Sequence, residues 1–313
     1  MKTLSVLAFA ILLTGFSQVS NAAEKSGAYQ AVRPEFMLAS DADGNDTRKL
    51  SLAWDAWRID REHWVGVEVQ NARFSGRDWS KQEQRAYLRA AGVFTQTTVT
   101  DDSWRWQVRA GSNGHALLGG ASLNTEGPRR IEFFFERELL ETEAGARRGQ
   151  VYNFLGAAMD HPFTDKFSGT LLAGLQDFDD GNLRSHLRGN LVQVLVPSWG
   201  LSVQLRGRYY RNSEPYSGDY YSPEWYGEAV GALAFRRVIG GHSWRAVAGM
   251  GRQRSSDDNW KRARMLELSY ESPRWRRSWL RVTAGYSDTP VATSTGIGSY
   301  NYRYVALESV IAF

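Results

Sequence analysis

Arginine dominates the cationic side of this sequence. Of 38 Lys and Arg residues 32 are arginine, in a chain of 313 residues with a formal charge of +4. Several stand at every second position. Arg105, Gln107 and Arg109 alternate with Trp104, Trp106, Val108 and Ala110, and Arg206 and Arg208 alternate with Leu205, Gly207 and Tyr209. Arg245 follows Trp244, and Arg281 stands between Leu280 and Val282. The acids expected on the same polar face are Glu132, Glu136, Glu267 and Glu308. Two chemistries fit this set. The arginines can hold carboxylates across strands, since a planar guanidinium grips a carboxylate bidentately. Alternatively they form a basic track that lowers the barrier for an anionic solute or polymer, as rings of like charge do in selective pores.

Aromatic residues carry the same ambiguity. With 12 Trp, 14 Tyr and 14 Phe the chain is rich in rings for a mean hydropathy of −0.45. Trp54, Trp57, Trp104, Trp106, Tyr209, Trp244 and Tyr286 fall on apolar faces, where a membrane interface would want them. Tyr210 and Tyr304 fall on polar faces, where they either fill space or offer a face to a sugar ring. The Tyr216 to Pro223 stretch (YSGDYYSP), with Tyr216, Asp219, Tyr220 and Tyr221, reads either as a surface loop or as a constriction folded toward an exit.

Other chemistries find little support. Ser185-His186 and His242-Ser243 are the neighbouring Ser and His pairs, and adjacent strand residues point to opposite faces. Neither pair can act by itself as nucleophile and base, so no catalytic residue is expected. The five histidines show no His-x-x-x-His spacing, and neither metal nor cofactor is expected. The basic charge is dispersed, which argues against nucleic-acid binding.

The elements that must position these residues are strands. Val65, Val67 and Val69 oppose Gly66, Glu68 and Gln70, and Leu280, Val282, Ala284 and Tyr286 oppose Arg281, Thr283 and Gly285. A period of two is the mark of a half-buried strand. Sixteen strands are placed near 28–40, 48–59, 62–75, 83–98, 101–111, 114–124, 129–139, 148–160, 165–177, 184–197, 199–211, 223–238, 242–254, 259–272, 276–287 and 300–313. Tight connections (Asp60-Arg61, Pro197-Ser198, Ile239 to Gly241) alternate with longer ones (Asp41 to Thr47, Asp177 to Asn182, Asn212 to Tyr221, Asp288 to Ser299). This rhythm predicts an all-β fold: a single transmembrane, antiparallel, up-and-down barrel of about sixteen strands. The short connection at Gly111 to Gly114 keeps fourteen strands as the alternative. An arginine facing lipid near the midplane costs about 2–4 kcal/mol, which assigns the arginine faces to the lumen.

Residues 1–22 read as an export signal, with Lys2, an apolar stretch Leu4 to Leu13 and a Ser20-Asn21-Ala22 cleavage site, leaving 23–313 as the barrel. The apolar stretch is too short for a spanning helix, which needs about 20 residues. No cysteine is present, and a closed barrel needs no disulfides because it has no free edge. The last strand, with Glu308 expected inward, ends on Phe313, as barrels do when they present a terminal aromatic to the assembly machinery. The expected surroundings are the lipids of a bacterial outer membrane.

Several segments resemble the C-terminal barrel of outer-membrane exopolysaccharide export porins, the poly-N-acetylglucosamine and cellulose exporter type. They are Phe135-Glu136-Arg137-Glu138 with Glu141-Thr142, Asp179 to Asn182, Tyr220-Tyr221-Ser222-Pro223, Phe235-Arg236-Arg237, Gly251 to Arg254, Ala284 to Ser287 and Tyr302-Arg303-Tyr304. The resemblance covers roughly the second half of the chain. It implies a sixteen-strand pore that secretes a polysaccharide, an anionic one on the basic-track reading, through an arginine-rich lumen. Those exporters carry a periplasmic helical-repeat domain before the barrel, whereas Ala23 leads almost directly into the first strand, so a separate scaffold protein is an expected partner. A general porin or surface barrel is the alternative, and a lipid-modifying enzyme a more distant one.

Overall fold

The computed structural model describes residues 27–95, 103–288 and 301–313. The expected signal segment and nearly all of the expected 288–299 connection lie outside these residues. The described chain is a closed antiparallel barrel in which each strand pairs with the next and the last returns to the first. The strands are β1 (Tyr29–Asp41), β2 (Asp46–Arg58), β3 (Trp64–Ser75), β4 (Ser80–Thr95), β5 (Ser103–Ser112), β6 (Leu117–Thr125), β7 (Ile131–Leu139) and β8 (Val151–Thr164). They continue as β9 (Phe167–Phe178), β10 (Leu183–Val196), β11 (Leu201–Asn212), β12 (Trp225–Ile239), β13 (His242–Ser255), β14 (Lys261–Glu271), β15 (Trp279–Ser287) and β16 (Tyr302–Ala312). A short helix, α1 (Glu143–Arg148), stands between β7 and β8.

Sixteen is the strand number, and the short β5–β6 connection that left fourteen open is a real hairpin. Asn113 makes it possible: its side-chain oxygen accepts from the backbone N–H of His115 (3.0 Å) and of Ala116 (2.9 Å), and Gly114 takes φ +88°. Closure is made by β1 and β16, in register from Ala31↔Ala312 to Asp41↔Tyr302. Phe313 caps the seam, its N–H donating to the Gln30 carbonyl at 3.0 Å.

Alternation sorts the strands into an inner and an outer face, most sharply on β2 and β3. On β2, Lys49 is 3% exposed and its neighbour Leu50 is 58% exposed. Leu52, Trp54, Val65, Val67 and Val69 continue the outer apolar surface, while Ser51, Ala53, Glu68 and Gln70 are buried inside. An apolar belt around a polar interior is stable only with lipid outside. Trp54, Trp57 and Trp244 face out near one rim, and there Trp104 stacks on Phe133 and Trp106 on Phe94. Tyr209 faces out toward the other rim, as the alternation of β11 requires. The first rim holds both ends of the barrel and the two-residue β8–β9 and β12–β13 turns (the turn rim). The second carries the 140–150 and 213–224 segments (the loop rim).

Candidate functional site: the lumen

The lumen has two unlike walls. Along β14 to β16 and β1 to β5, acids and arginines alternate in an unbroken chain. Arg109 meets Glu68 (2.7 Å), Glu68 meets Arg89 (3.2 Å), and Arg89 reaches Glu35 (3.9 Å). Glu35 then meets Arg33 (3.2 Å), Arg33 meets Glu308 (3.2 Å), and Glu308 meets Arg281 (3.4 Å). Arg281 binds Glu271 (2.8 Å), which holds Arg61 of the β2–β3 turn (2.9 Å). Arg33 and Arg89 lie over the Trp64 ring at 5.4 and 4.7 Å, and Arg109 lies 3.6 Å from the Tyr87 centroid. Deeper still, Arg85 donates to Glu138 at 2.6 Å and to Glu83 at 2.9 Å, the Arg85 and Glu138 side chains both wholly buried. Buried charges survive only when paired this closely, because each loses its hydration.

The opposite wall, β7 to β12, is built from rings. Phe134 lies 5.5 Å from Phe154, Phe154 meets His186 edge-on at 5.2 Å, and His186 is 5.7 Å from Tyr210. Tyr210 stacks on Tyr226 at 5.0 Å and 19°. The register explains the arc, since His186, Tyr210 and Tyr226 are direct cross-strand neighbours on β10, β11 and β12. Gly156 makes room for it: a Cβ there would come within 2.3 Å of the Phe134 ring. Guanidiniums are set against these faces. Arg184 lies 5.0 Å from Phe178 and 4.7 Å from Tyr210, and Arg208 lies 5.0 Å from Tyr226. The next inward row is Arg188, Arg208 and Glu228, side by side.

Two segments of the loop rim fold inward and meet. The β7–β8 segment crosses toward β2 and β3, where Glu141 accepts from Lys49 (2.5 Å) and Thr47 (3.1 Å), and Leu139 and Ala146 pack with Phe74. The β11–β12 segment lays Tyr220 on Phe178 (4.3 Å, 17°) and Tyr221 against Tyr226. The Tyr220 hydroxyl donates to Asp180 at 2.9 Å and accepts from Asn182 at 2.9 Å, while Arg184 donates to the Tyr221 carbonyl at 2.6 Å. Burial pushes the Tyr220 phenol up to about 12, against the hydrogen bonds from Ser217 and Asn182 and with the Asp180 carboxylate adding to the rise. Asp219 joins the two segments, accepting from the Thr142 hydroxyl (2.5 Å) and the Ala144 N–H (2.6 Å). Tyr216 reaches out instead, its hydroxyl donating to Asp257.

The residues singled out on strands for the lumen face inward, where each meets a neighbour. Arg105 pairs with Glu62 (2.5 Å) and Glu126, and Arg206 holds Glu267 at 3.0 and 3.3 Å. Arg245 approaches the same Glu267 at 3.6 Å. Glu132 accepts from Arg130 (3.2 Å) and Glu136 from the Tyr152 hydroxyl (2.8 Å). Tyr304 lies across Gly285, where a Cβ would come within 2.3 Å of its ring. Carboxylate pairing thus accounts for Arg105, Arg109, Arg206, Arg245 and Arg281, while Arg208 belongs to the aromatic wall. Arg33, Glu35, Arg85 and Arg89 on the charged wall, and Phe154, Arg184 and Tyr226 on the other, were not among the residues expected in the lumen, and Glu138 and His186 were named without a lumen role. Extending the alternation of β4 or β10 by a few residues would have found most of them.

No family model matches the chain, and no curated protein does. Among solved structures, one described as a bacterial polysaccharide outer membrane secretin aligns over 91% of this chain and 98% of its own, with a TM-score of 0.62 and 15% identity. The chain has the fold of an outer-membrane barrel. Acinetobacter baumannii OccAB2 aligns over 92% of this chain and 98% of its own (TM-score 0.44, 8% identity), and Pseudomonas aeruginosa OccK5 (OpdH) over 91% and 98% (0.43, 7%).

Proposed function

We propose that this barrel is an outer-membrane pore through which a polysaccharide is secreted, and that the aromatic wall is the surface the polymer touches. The arc Phe154, His186, Tyr210 and Tyr226, with Arg184 and Arg208 set against its rings, carries this reading. It is buried while Tyr221 lies against Tyr226 and Arg184, and parting of the loop segments uncovers it. A pyranose ring has flat C–H faces and a rim of hydroxyls, so a surface that recognises it needs ring faces beside hydrogen-bond donors. The likeness to a structure described as a polysaccharide secretin supports the same reading. Because five of the six arginines singled out are bound to carboxylates, the polymer that fits best is recognised by stacking and hydrogen bonds more than by charge. The joined loop segments form a closed mouth, and release of Asp219 from Thr142 and Ala144 lets the polymer out. A helical-repeat scaffold on the periplasmic side would deliver it, and the assembly machinery would receive the terminal strand through Phe313.

Planar-bilayer currents through the Asp219→Ala barrel test the reading. Oligosaccharides of several units should block the current transiently and in a length-dependent way. Currents that ignore every sugar polymer would assign the barrel to general permeation.

A further inference from the structure

The outer surface of the loop rim carries arginines where the apolar belt ends. On four strands the outward residue next beyond an exposed apolar one is arginine: Leu50 then Arg48 on β2, Met250 then Arg252 on β13, Leu266 then Arg264 on β14, and Val305 then Arg303 on β16. The register sets two pairs directly opposite each other on neighbouring strands, Arg252↔Arg262 and Arg48↔Arg73. Like charges facing across a ladder destabilise it, so this arrangement needs an anion to make it favourable. Arg264 has Asp288 at 2.7 Å, and Asp46 stands one outward position beyond Arg48. Among the described residues the two opposed pairs and Arg303 take part in no ion pair.

The other end of the same strands is different. It presents Trp54 and Trp57 on β2, Trp244 on β13 and Ile311 on β16. Eight residues separate Arg252 from Trp244, about 26 Å of strand, or about 20 Å along the axis at a tilt near 40°. The two ends of the belt therefore meet interfaces of different chemistry. Aromatic rings suit an ordinary headgroup layer, and opposed guanidiniums suit phosphates, which they grip with paired N–H groups.

We infer that the β13–β3 sector of the loop rim binds the phosphate groups of an anionic glycolipid in the outer leaflet, with Arg252/Arg262 and Arg48/Arg73 as two phosphate clamps. The inference needs the barrel to span an outer membrane and is independent of what passes through the lumen.

The test compares the wild type with an Arg48→Ser/Arg252→Ser/Arg262→Ser variant, refolded into phosphatidylcholine bilayers with and without lipopolysaccharide. The readout is the unfolding midpoint from the heat-modifiable gel band. Lipopolysaccharide should raise the wild-type midpoint by several degrees, since a ligand bound to the folded state stabilises it. The variant should lose at least half of that rise while starting no lower than the wild type in phosphatidylcholine alone, since removing the opposed charges relieves their repulsion. Dephosphorylated lipopolysaccharide should raise neither. An equal rise in both proteins, a rise that survives dephosphorylation, or no rise in the wild type overturns the inference. If the triple variant does not refold, Arg252→Gln alone is read the same way. Sugar-polymer blockade measured on these variants reports on the lumen alone, so the two readings fail separately.

Discussion

The two walls of the lumen use the same residue type for opposite ends. On the β14–β5 side arginines are consumed by carboxylates, in a chain from Arg109 through Glu308 to Arg61 that ties seven strands and a turn together. On the β7–β12 side Arg184 and Arg208 lie against tyrosine and phenylalanine faces instead. A guanidinium locked by two carboxylates has little left to offer a ligand. Arg184, stacked on rings, donates to neutral oxygens, the Asn212 side chain (2.7 Å) and the Tyr221 carbonyl (2.6 Å), bonds that a ligand hydroxyl can exchange for its own. The first wall is built as a stiffener, and the second, buried while the loop segments are joined, is the surface proposed for contact once they part.

The largest effect that separates them is on stability. Glu138→Ala, at the end of β7 where its carboxylate reaches across to the charged wall, leaves Arg85 buried and without its nearest carboxylate, and should cost about 3–5 kcal/mol in urea unfolding from bilayers. Tyr210→Leu, on the other wall, keeps most of its apolar contact and should cost well under half of that. Equal losses would erase the distinction.

Next comes the joint between the loops. Asp219→Ala removes two hydrogen bonds to a carboxylate, to Thr142 and Ala144, in a region that holds up no strand pairing. Hydrogen bonds to charged groups contribute about 1.5–3 kcal/mol each, enough to shift the loop equilibrium by an order of magnitude or more. Single-channel conductance should rise, with the unfolding midpoint nearly unchanged.

The smallest expected effect is a pH response. The Tyr220 phenol sits above its ordinary value, at about 12, so the folded loop favours the protonated form. Its contribution is therefore complete below pH 10 and lost as pH rises from 10 toward 12. Conductance of the wild type should climb over that window, and Tyr220→Phe should flatten the climb.

The barrel itself was legible because lipid and lumen impose opposite demands on alternate residues, so strands such as β3, β11 and β16 announce both their span and their facing. The inward direction of Arg206, Arg281 and Glu308 followed from the same rule. Their partners did not. Glu267 meets Arg206 from three strands away, and Glu308 meets Arg33 across the barrel seam. Those pairings depend on closure and stagger, which a period of two does not encode. Asp219 was placed in a loop near the exit, but its grip on α1 depends on two loops folding inward together.

The most direct measurement is the dwell time of a neutral oligosaccharide in the Asp219→Ala barrel, with Tyr210→Leu or Arg281→Met added in turn. Losing one ring face should shorten the dwell about three- to tenfold, the scale of a single aromatic contact. Arg281→Met, which breaks the ion chain on the other wall, should leave it within about twofold, the loss of a few tenths of a kcal/mol. If Arg281→Met shortens the dwell and Tyr210→Leu does not, the roles assigned to the two walls are reversed.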